Sequence, residues 1–328
     1  MPRILFPIAG LFVVALVHAC NIPVFRYALE RWRPDPCEII VFHREPVTKS
    51  QHQTIGSLET LAPTYDGPTH LRVILSNVGG DQEPDHRELW QSLPDDAKSK
   101  AIHEPYTVVR CKVTQGRQVN VWHGRLSEVK ALGITQSPAR DEMSRRLLAG
   151  DSVVWLMIRS VNESKNARAR DLLRSQFETL ADKIELPEGV GLPGSELFAD
   201  VPLLLKFSLL EIEASDAKEQ FLIKLLTGMQ QEAFAAGEPL LVPVFGRGRA
   251  LAVIPASDLN EHRMEDLTVF LSGACSCQVK EQNPGFDLLI STDWDTELFG
   301  ADGEVPADTP QRQRQTSKPK LLTIPKGK

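Results

Sequence analysis

Neither His-Glu-x-x-His nor Gly-x-Ser-x-Gly occurs in the chain, so zinc-dependent hydrolysis and acyl transfer on a nucleophile elbow have no motif to rest on. Gly246-Arg-Gly-Arg249 is followed by neither Gly-x-x-Gly nor Lys-Ser/Thr, which leaves any phosphate loop incomplete. Asp287, Asp293 and Asp295 lack the glycine and terminal glutamate of an EF-hand calcium loop. With 37 basic and 43 acidic residues the formal charge is only -6, and no global field favours nucleic acid or anionic lipid. The apolar run Ile4 to Val17 is shorter than the roughly 20 residues that a transmembrane helix needs.

What is present is a chain of 328 residues, 42% hydrophobic and 24% charged, long enough for two or more globular domains. Its start has Arg3, the short apolar run, and small residues ending at Ala19-Cys20, the three regions of a secretory signal. Export is therefore expected. Val17-His-Ala19 suits ordinary cleavage before Cys20; lipidation of Cys20, with His18 unusual for such a site, and retention as a membrane anchor or core strand are the alternatives. Oxidising compartments favour disulfides, and five cysteines are an odd number. At least one is left free, metal-bound, lipidated or paired between chains.

Hydrophobic periodicity gives an ordered list of elements. Phe25, Ala28, Leu29 and Trp32 share a helical face, and Arg33-Pro-Asp-Pro36 ends that helix. Strands are expected at 37–42 and 71–75, a weakly helical segment to about Leu61, short helices at 85–93 and 95–102, a hairpin over 104–113 and 119–122, and a helix over 138–149. The second half follows the same order: strand 152–158, helix 162–184, strand 203–212, helix 216–236, hairpin strands 238–245 and 250–254, and helix 259–272. Glu104-Pro105 and Glu238-Pro239 each open a hairpin, which strengthens the reading of an internal repeat.

This strand, helix, strand, helix, hairpin, helix order resembles the thioredoxin fold, whose characteristic proline precedes the third strand. The resemblance implies an α/β protein of two tandem thioredoxin-like domains (βαβαββα each). The expected division is signal peptide 1–19, N-terminal helical segment 20–37, first domain 38–150, second domain 151–277, C-terminal extension 278–300 and disordered tail 301–328. A thioredoxin carries Cys-x-x-Cys where its first strand meets its helix, because the helix N-terminus stabilises the thiolate. Here those stretches are His43-Arg-Glu-Pro46 and Arg159-Ser-Val-Asn162, without cysteine. Both modules therefore read as redox-silent. The stretches Cys20 to Trp32 and Gly273 to Gly285 are also similar to segments of exported bacterial proteins with no assigned activity.

Cys275 and Cys277 stand one residue apart between an apolar helical pattern and Asn283-Pro-Gly285. On an extended strand they would face the same side, open to a structural disulfide, a soft metal, thiol exchange or no bond at all. Cys20 is expected to pair with this stretch, and Cys37, just before a strand, could pair with Cys20 instead. Cys111, alternating with Val109 and Val113, reads as a buried inert thiol. The Gly246–Arg249 glycines are explained by a hairpin turn without an anion, and the three aspartates as solvated carboxylates. Beyond the last helix, Gly285 to Ile290 is expected to add an edge strand. Residues 301–328 hold six Lys or Arg against three Asp or Glu, a basic tail that can contact an acidic surface. The expectation is an exported, non-catalytic binding or scaffold protein in the periplasm or envelope. No cofactor and no nucleic-acid partner are expected; an unidentified protein partner is, and lipidation of Cys20 would associate the protein with the membrane. A thiol- or metal-handling protein acting through Cys275 and Cys277 is the alternative.

Overall fold

The structure, a computed structural model, describes residues 21–60, 71–101, 104–113, 116–282 and 284–300. The apolar run and Cys20 lie outside them, and among them no helix is long and apolar enough to cross a membrane.

Helix α1 (Val24–Arg31) is buried on every side, Arg26 and Glu30 included. Next comes a four-stranded sheet. Strand β1 (Cys37–His43) lies parallel to β2 (Leu71–Asn77) and antiparallel to β3 (Tyr106–Val113), and β4 (Arg117–Arg125) completes the order β2-β1-β3-β4. Helix α2 (Lys49–Glu59) links the parallel pair, and a reciprocal capping box between Thr48 and Gln51 starts it. Helices α3 (Pro84–Ser92) and α4 (Asp95–Lys100) lead to β3, and α5 (Pro138–Leu148) follows β4.

The second sheet has six strands. Strand β5 (Val153–Arg159), buried from Val153 to Ile158, lies parallel to β6 (Phe207–Glu213) and antiparallel to β7 (Leu240–Phe245). Two-residue strands β8 (Arg249–Ala250) and β9 (Ile254–Pro255) both pair with β7, and β10 (Phe286–Asp287) pairs with β8. Helices α6 (Glu163–Lys183), α7 (Gln220–Thr227), α8 (Gln231–Ala235), α9 (Glu261–Ser272), α10 (Cys277–Gln282) and α11 (Trp294–Phe299) complete a mixed α/β molecule.

One apolar core spans both sheets, joining Ile39, Val41 and Val109 to Leu156 and Val242. Helix α5 packs on β5 and β6 of the second sheet, and α7 packs on β4 of the first. Arg140, fully buried, fixes the joint: its Nε donates to the Leu288 carbonyl (2.8 Å), its Nη1 to the Gly133 carbonyl (2.8 Å), and its guanidinium lies 5.2 Å from the Phe221 ring centroid. Burial lowers its pKa to about 10, so it stays charged at neutral pH.

Several expectations change. The helix expected over 216–236 is broken into a 3-10 turn, α7 and α8, with Gly228 at the break. The strand expected over 203–212 begins only at Phe207, because residues 185–206 run as an irregular strap along α1. The strand of 250–254 divides into β8 and β9, and the edge strand after Phe286 stops at Asp287, with Leu289 at a φ of 54°.

Cys111 is not a thiol. The register of β1 and β3 sets it directly opposite Cys37, 4.2 Å away between α carbons, and the two form a disulfide. This also removes Cys37 as a partner for Cys20. The bridge spans 74 residues, a loop that the chain-entropy picture values at about 4.5 kcal/mol.

Helix α1 depends on its charges. Glu30 accepts from Arg26 Nε and Arg31 Nη1 (both 2.9 Å) and from the backbone N–H of Phe198 and Ala199 (both 3.2 Å). Glu30→Ala would leave the Arg26 guanidinium buried beside an empty site, and a loss of about 3–5 kcal/mol in urea-unfolding stability is expected. An unchanged midpoint would contradict the role given to this pair.

Candidate functional site

Cys275 sits where the N-terminal segment meets the end of α9. Val24 N–H donates to the Gly273 carbonyl (3.0 Å), Cys275 N–H donates to the Ile22 carbonyl (2.8 Å), and Pro23 bridges Ala274 in antiparallel fashion. The Cys275 side chain is fully buried in the cluster containing Ile22, Val24 and Met264. Such burial removes it from soluble substrates and leaves structural use as its natural chemistry. The expected strand presenting both cysteines to one side does not form. Pairing is limited to Ala274, and Cys277 is the first residue of α10. Among the described residues no group of three or more His, Cys, Asp or Glu gathers as for a metal.

The Gly246–Arg249 turn and the aspartates, separate readings in the sequence, come together. Arg249 Nη1 meets Asp287 Oδ2 at 3.0 Å, Arg249 Nη2 meets Asp35 Oδ2 at 3.1 Å, and the Asp35 backbone N–H donates to Asp287. The guanidinium also lies 5.7 Å from the Trp32 ring centroid. Arg247 donates to the Leu29 and Glu30 carbonyls at the end of α1 (2.7 and 3.0 Å) and pairs with Asp295 (2.8 Å). Asp293 caps α11 through the Thr296 N–H. Neither arginine is presented as an anion cradle. Gly246 is required by contact as well as conformation: at a φ of 58°, a Cβ would stand 2.6 Å from that of Ala28.

Two carboxylates therefore share one guanidinium in a dry place. Burial pushes Asp287 up to about 7, against the pull of Arg249 and with the Asp35 charge adding to the rise. What this arrangement can do chemically is hold or release one proton while tying the linker before β1 to β8 and β10.

The two strand-to-helix junctions carry structural polar groups. Asn162 caps α6 through the Lys165 N–H (3.2 Å), Ser160 Oγ donates to the Gly237 carbonyl (2.8 Å), and Lys165 pairs with Glu238 (2.5 Å). The Glu-Pro pairs make matching locks. Glu104 accepts from the Ser127 N–H (2.9 Å) while the Pro105 carbonyl accepts from Leu126 N–H (2.9 Å). Glu238 accepts from the Ser257 N–H (3.1 Å) while the Pro239 carbonyl accepts from Ala256 N–H (3.0 Å). In each half the lock fastens the start of the hairpin to the 3-10 turn beyond its last strand.

A pocket of about 380 Å³ opens between α2 and residues 133–136, lined by Leu58, Val129, Ile134, Ser57, Thr135 and Gln136, none of them charged. Its described lining offers apolar contact and hydroxyl or amide groups. Neither a scan of protein-family models nor a search of curated proteins gave a match to the chain.

Sequence reading missed the Cys37–Cys111 pair, whose signal was the inward alternation of Val109, Cys111 and Val113. It also missed the Asp35–Arg249–Asp287 cluster, which has no local signal because its members are distant in the chain.

Two predictions follow from this geometry. Asp287 has a folded pKa above its unfolded value, so its stabilising contribution is complete below about pH 4 and is lost as pH rises through 7. Unfolding stability should fall across that window by up to about 1.4 kcal/mol per pH unit, and Asp287→Asn should flatten the slope; an identical slope in the variant would exclude this group. Separately, Cys20 is two residues from Ile22, within about 7 Å of chain. A non-reducing peptide map should join Cys20 to the Cys275–Cys277 peptide and Cys37 to Cys111, whereas a lipid adduct on Cys20 would contradict the first of these links.

Proposed function

We propose that this is an exported, non-catalytic binding or scaffold protein built from two redox-silent thioredoxin-like modules. The observation that carries the architecture is the repeated Glu-Pro lock, with the same donors in the same order in both halves. It is supported by the shared placement of a first strand between a parallel second and an antiparallel third strand. Redox silence follows from the junctions. Where an oxidoreductase would hold its attacking thiol, His43 to Pro46 and Arg159 to Asn162 contain none, and the second junction is closed by Ser160, Lys165 and Glu238. Export is favoured by the segment 1–19 and by a disulfide in the interior of a sheet. The protein partner is expected in the same extracytoplasmic compartment.

The full chain should not accelerate disulfide exchange between glutathione and a disulfide-bonded peptide above the uncatalysed rate. Catalysis that disappears in Cys275→Ser or Cys277→Ser would reject this proposal and favour thiol handling at that pair.

A further inference from the structure

The strap between α6 and β6 is the longest irregular segment among the described residues, and it is held firmly. Asn21 N–H donates to Ser195 Oγ (2.9 Å) and its side-chain amide to the Glu188 carbonyl (2.8 Å), Arg31 donates to the Glu196 carbonyl (2.8 Å), and Arg26 donates to the Ala199 and Val201 carbonyls (2.5 and 2.8 Å). Long irregular segments fixed to a rigid scaffold are frequent binding surfaces. This one has a distinctive chemistry. Seven large apolar side chains stand exposed among the described residues, and three of them, Leu192, Phe198 and Leu204, lie on the strap. Leu192 is held outward by a turn closed from Ser195 N–H to its carbonyl (2.8 Å), and the Arg31 guanidinium lies 4.8 Å from the Phe198 ring centroid. Residues 185–205 contain four acids, Glu185, Glu188, Glu196 and Asp200, and no Lys or Arg. The Gly194 N–H donates to Glu196 and lowers its pKa, which favours the charged carboxylate.

The complementary chemistry is in the same chain. Residues 309–328 contain six Lys or Arg and no acid, with Leu321, Leu322 and Ile324 among them. A chain of contacts connects the last described helix to the strap. Asp295, at the start of α11, pairs with Arg247, which holds the Leu29 and Glu30 carbonyls, and Glu30 accepts from Phe198 and Ala199 of the strap. From Gly300, nine residues reach Thr309, a span of up to about 30 Å.

We propose that the basic C-terminal segment 309–328 docks on the acidic, apolar strap of its own chain, its lysines and arginines facing the four acids and its leucines covering Leu192 and Phe198. The rival acidic surface, Asp81, Glu83, Asp85 and Glu88 around α3, carries none of the exposed large apolar side chains and offers charge alone. This inference does not depend on the thioredoxin-like reading.

Zero-length carbodiimide cross-linking of the full chain, followed by peptide mass spectrometry, tests it. Intrachain links from Lys318 or Lys320 to Glu188 or Glu196, reduced severalfold in high salt, are expected. In the full chain carrying Arg312→Gln, Arg314→Gln, Lys318→Gln and Lys320→Gln, hydrogen exchange of strap amides 189–198 should be severalfold faster than in the unaltered protein. Links to the acids around α3, links only between two chains, no links, or unchanged strap exchange would each overturn the proposal.

Discussion

A carboxylate with no exposure to water governs the arrangement of this molecule. Glu30 is buried inside a helix that is itself buried, and an unpaired charge there would be prohibitive. Its four donors come from α1 and from the strap, so the strap must follow the helix for the fold to exist. Arg26, drawn in by the same requirement, spends its remaining N–H groups on strap carbonyls. Burial lowers its pKa while Glu30 opposes that effect, as expected for a charge retained by its partner. The helix end is closed by Arg247, and through Asp295 the C-terminal helix is drawn to the same place. A segment from the start of the chain thus organises contacts that are distributed to its end.

Local pattern revealed the elements whose sides differ chemically. The continuous apolar run Val153 to Ile158 announces a strand buried on both faces, and the alternation around Cys111 announces its inward side. The paired Glu-Pro dipeptides indicated where each hairpin begins, and each glutamate accepts from the 3-10 turn that follows. Pattern failed where distant groups decide. Apolar spacing continues past Thr227, but Gly228 weakens the helix and the chain turns there. Nothing between Gly285 and Ile290 forbids a strand, yet the buried Arg140 takes the Leu288 carbonyl and the backbone leaves the sheet edge.

The candidate site was legible only as an inventory of residues. Cys37 and Cys111 were each correctly seen beside or within strands, but their pairing needs the register of two strands separated by two helical connections. The arginines of the Gly246–Arg249 turn were visible as charge, while their partners Asp35, Asp287 and Asp295 become neighbours only when these distant segments meet in the fold. Burial, which turns an ordinary aspartate into a group titrating near 7, is likewise a property of the assembled fold. Arg26 and Glu30 had the i, i+4 spacing of a surface pair, and the apolar residues surrounding them placed that pair inside.

The central claim is that sulfur in this protein serves structure and not exchange or metal binding. A thiol count on protein purified from its native source, denatured without reductant and accompanied by metal analysis, tests that most directly. The account predicts one reactive thiol per chain and no stoichiometric metal: the Cys37–Cys111 bridge takes two of the five cysteines, and the link expected between Cys20 and the Cys275–Cys277 stretch would take two more. A bound soft metal, or Cys275 and Cys277 both reactive toward the thiol reagent, would contradict it.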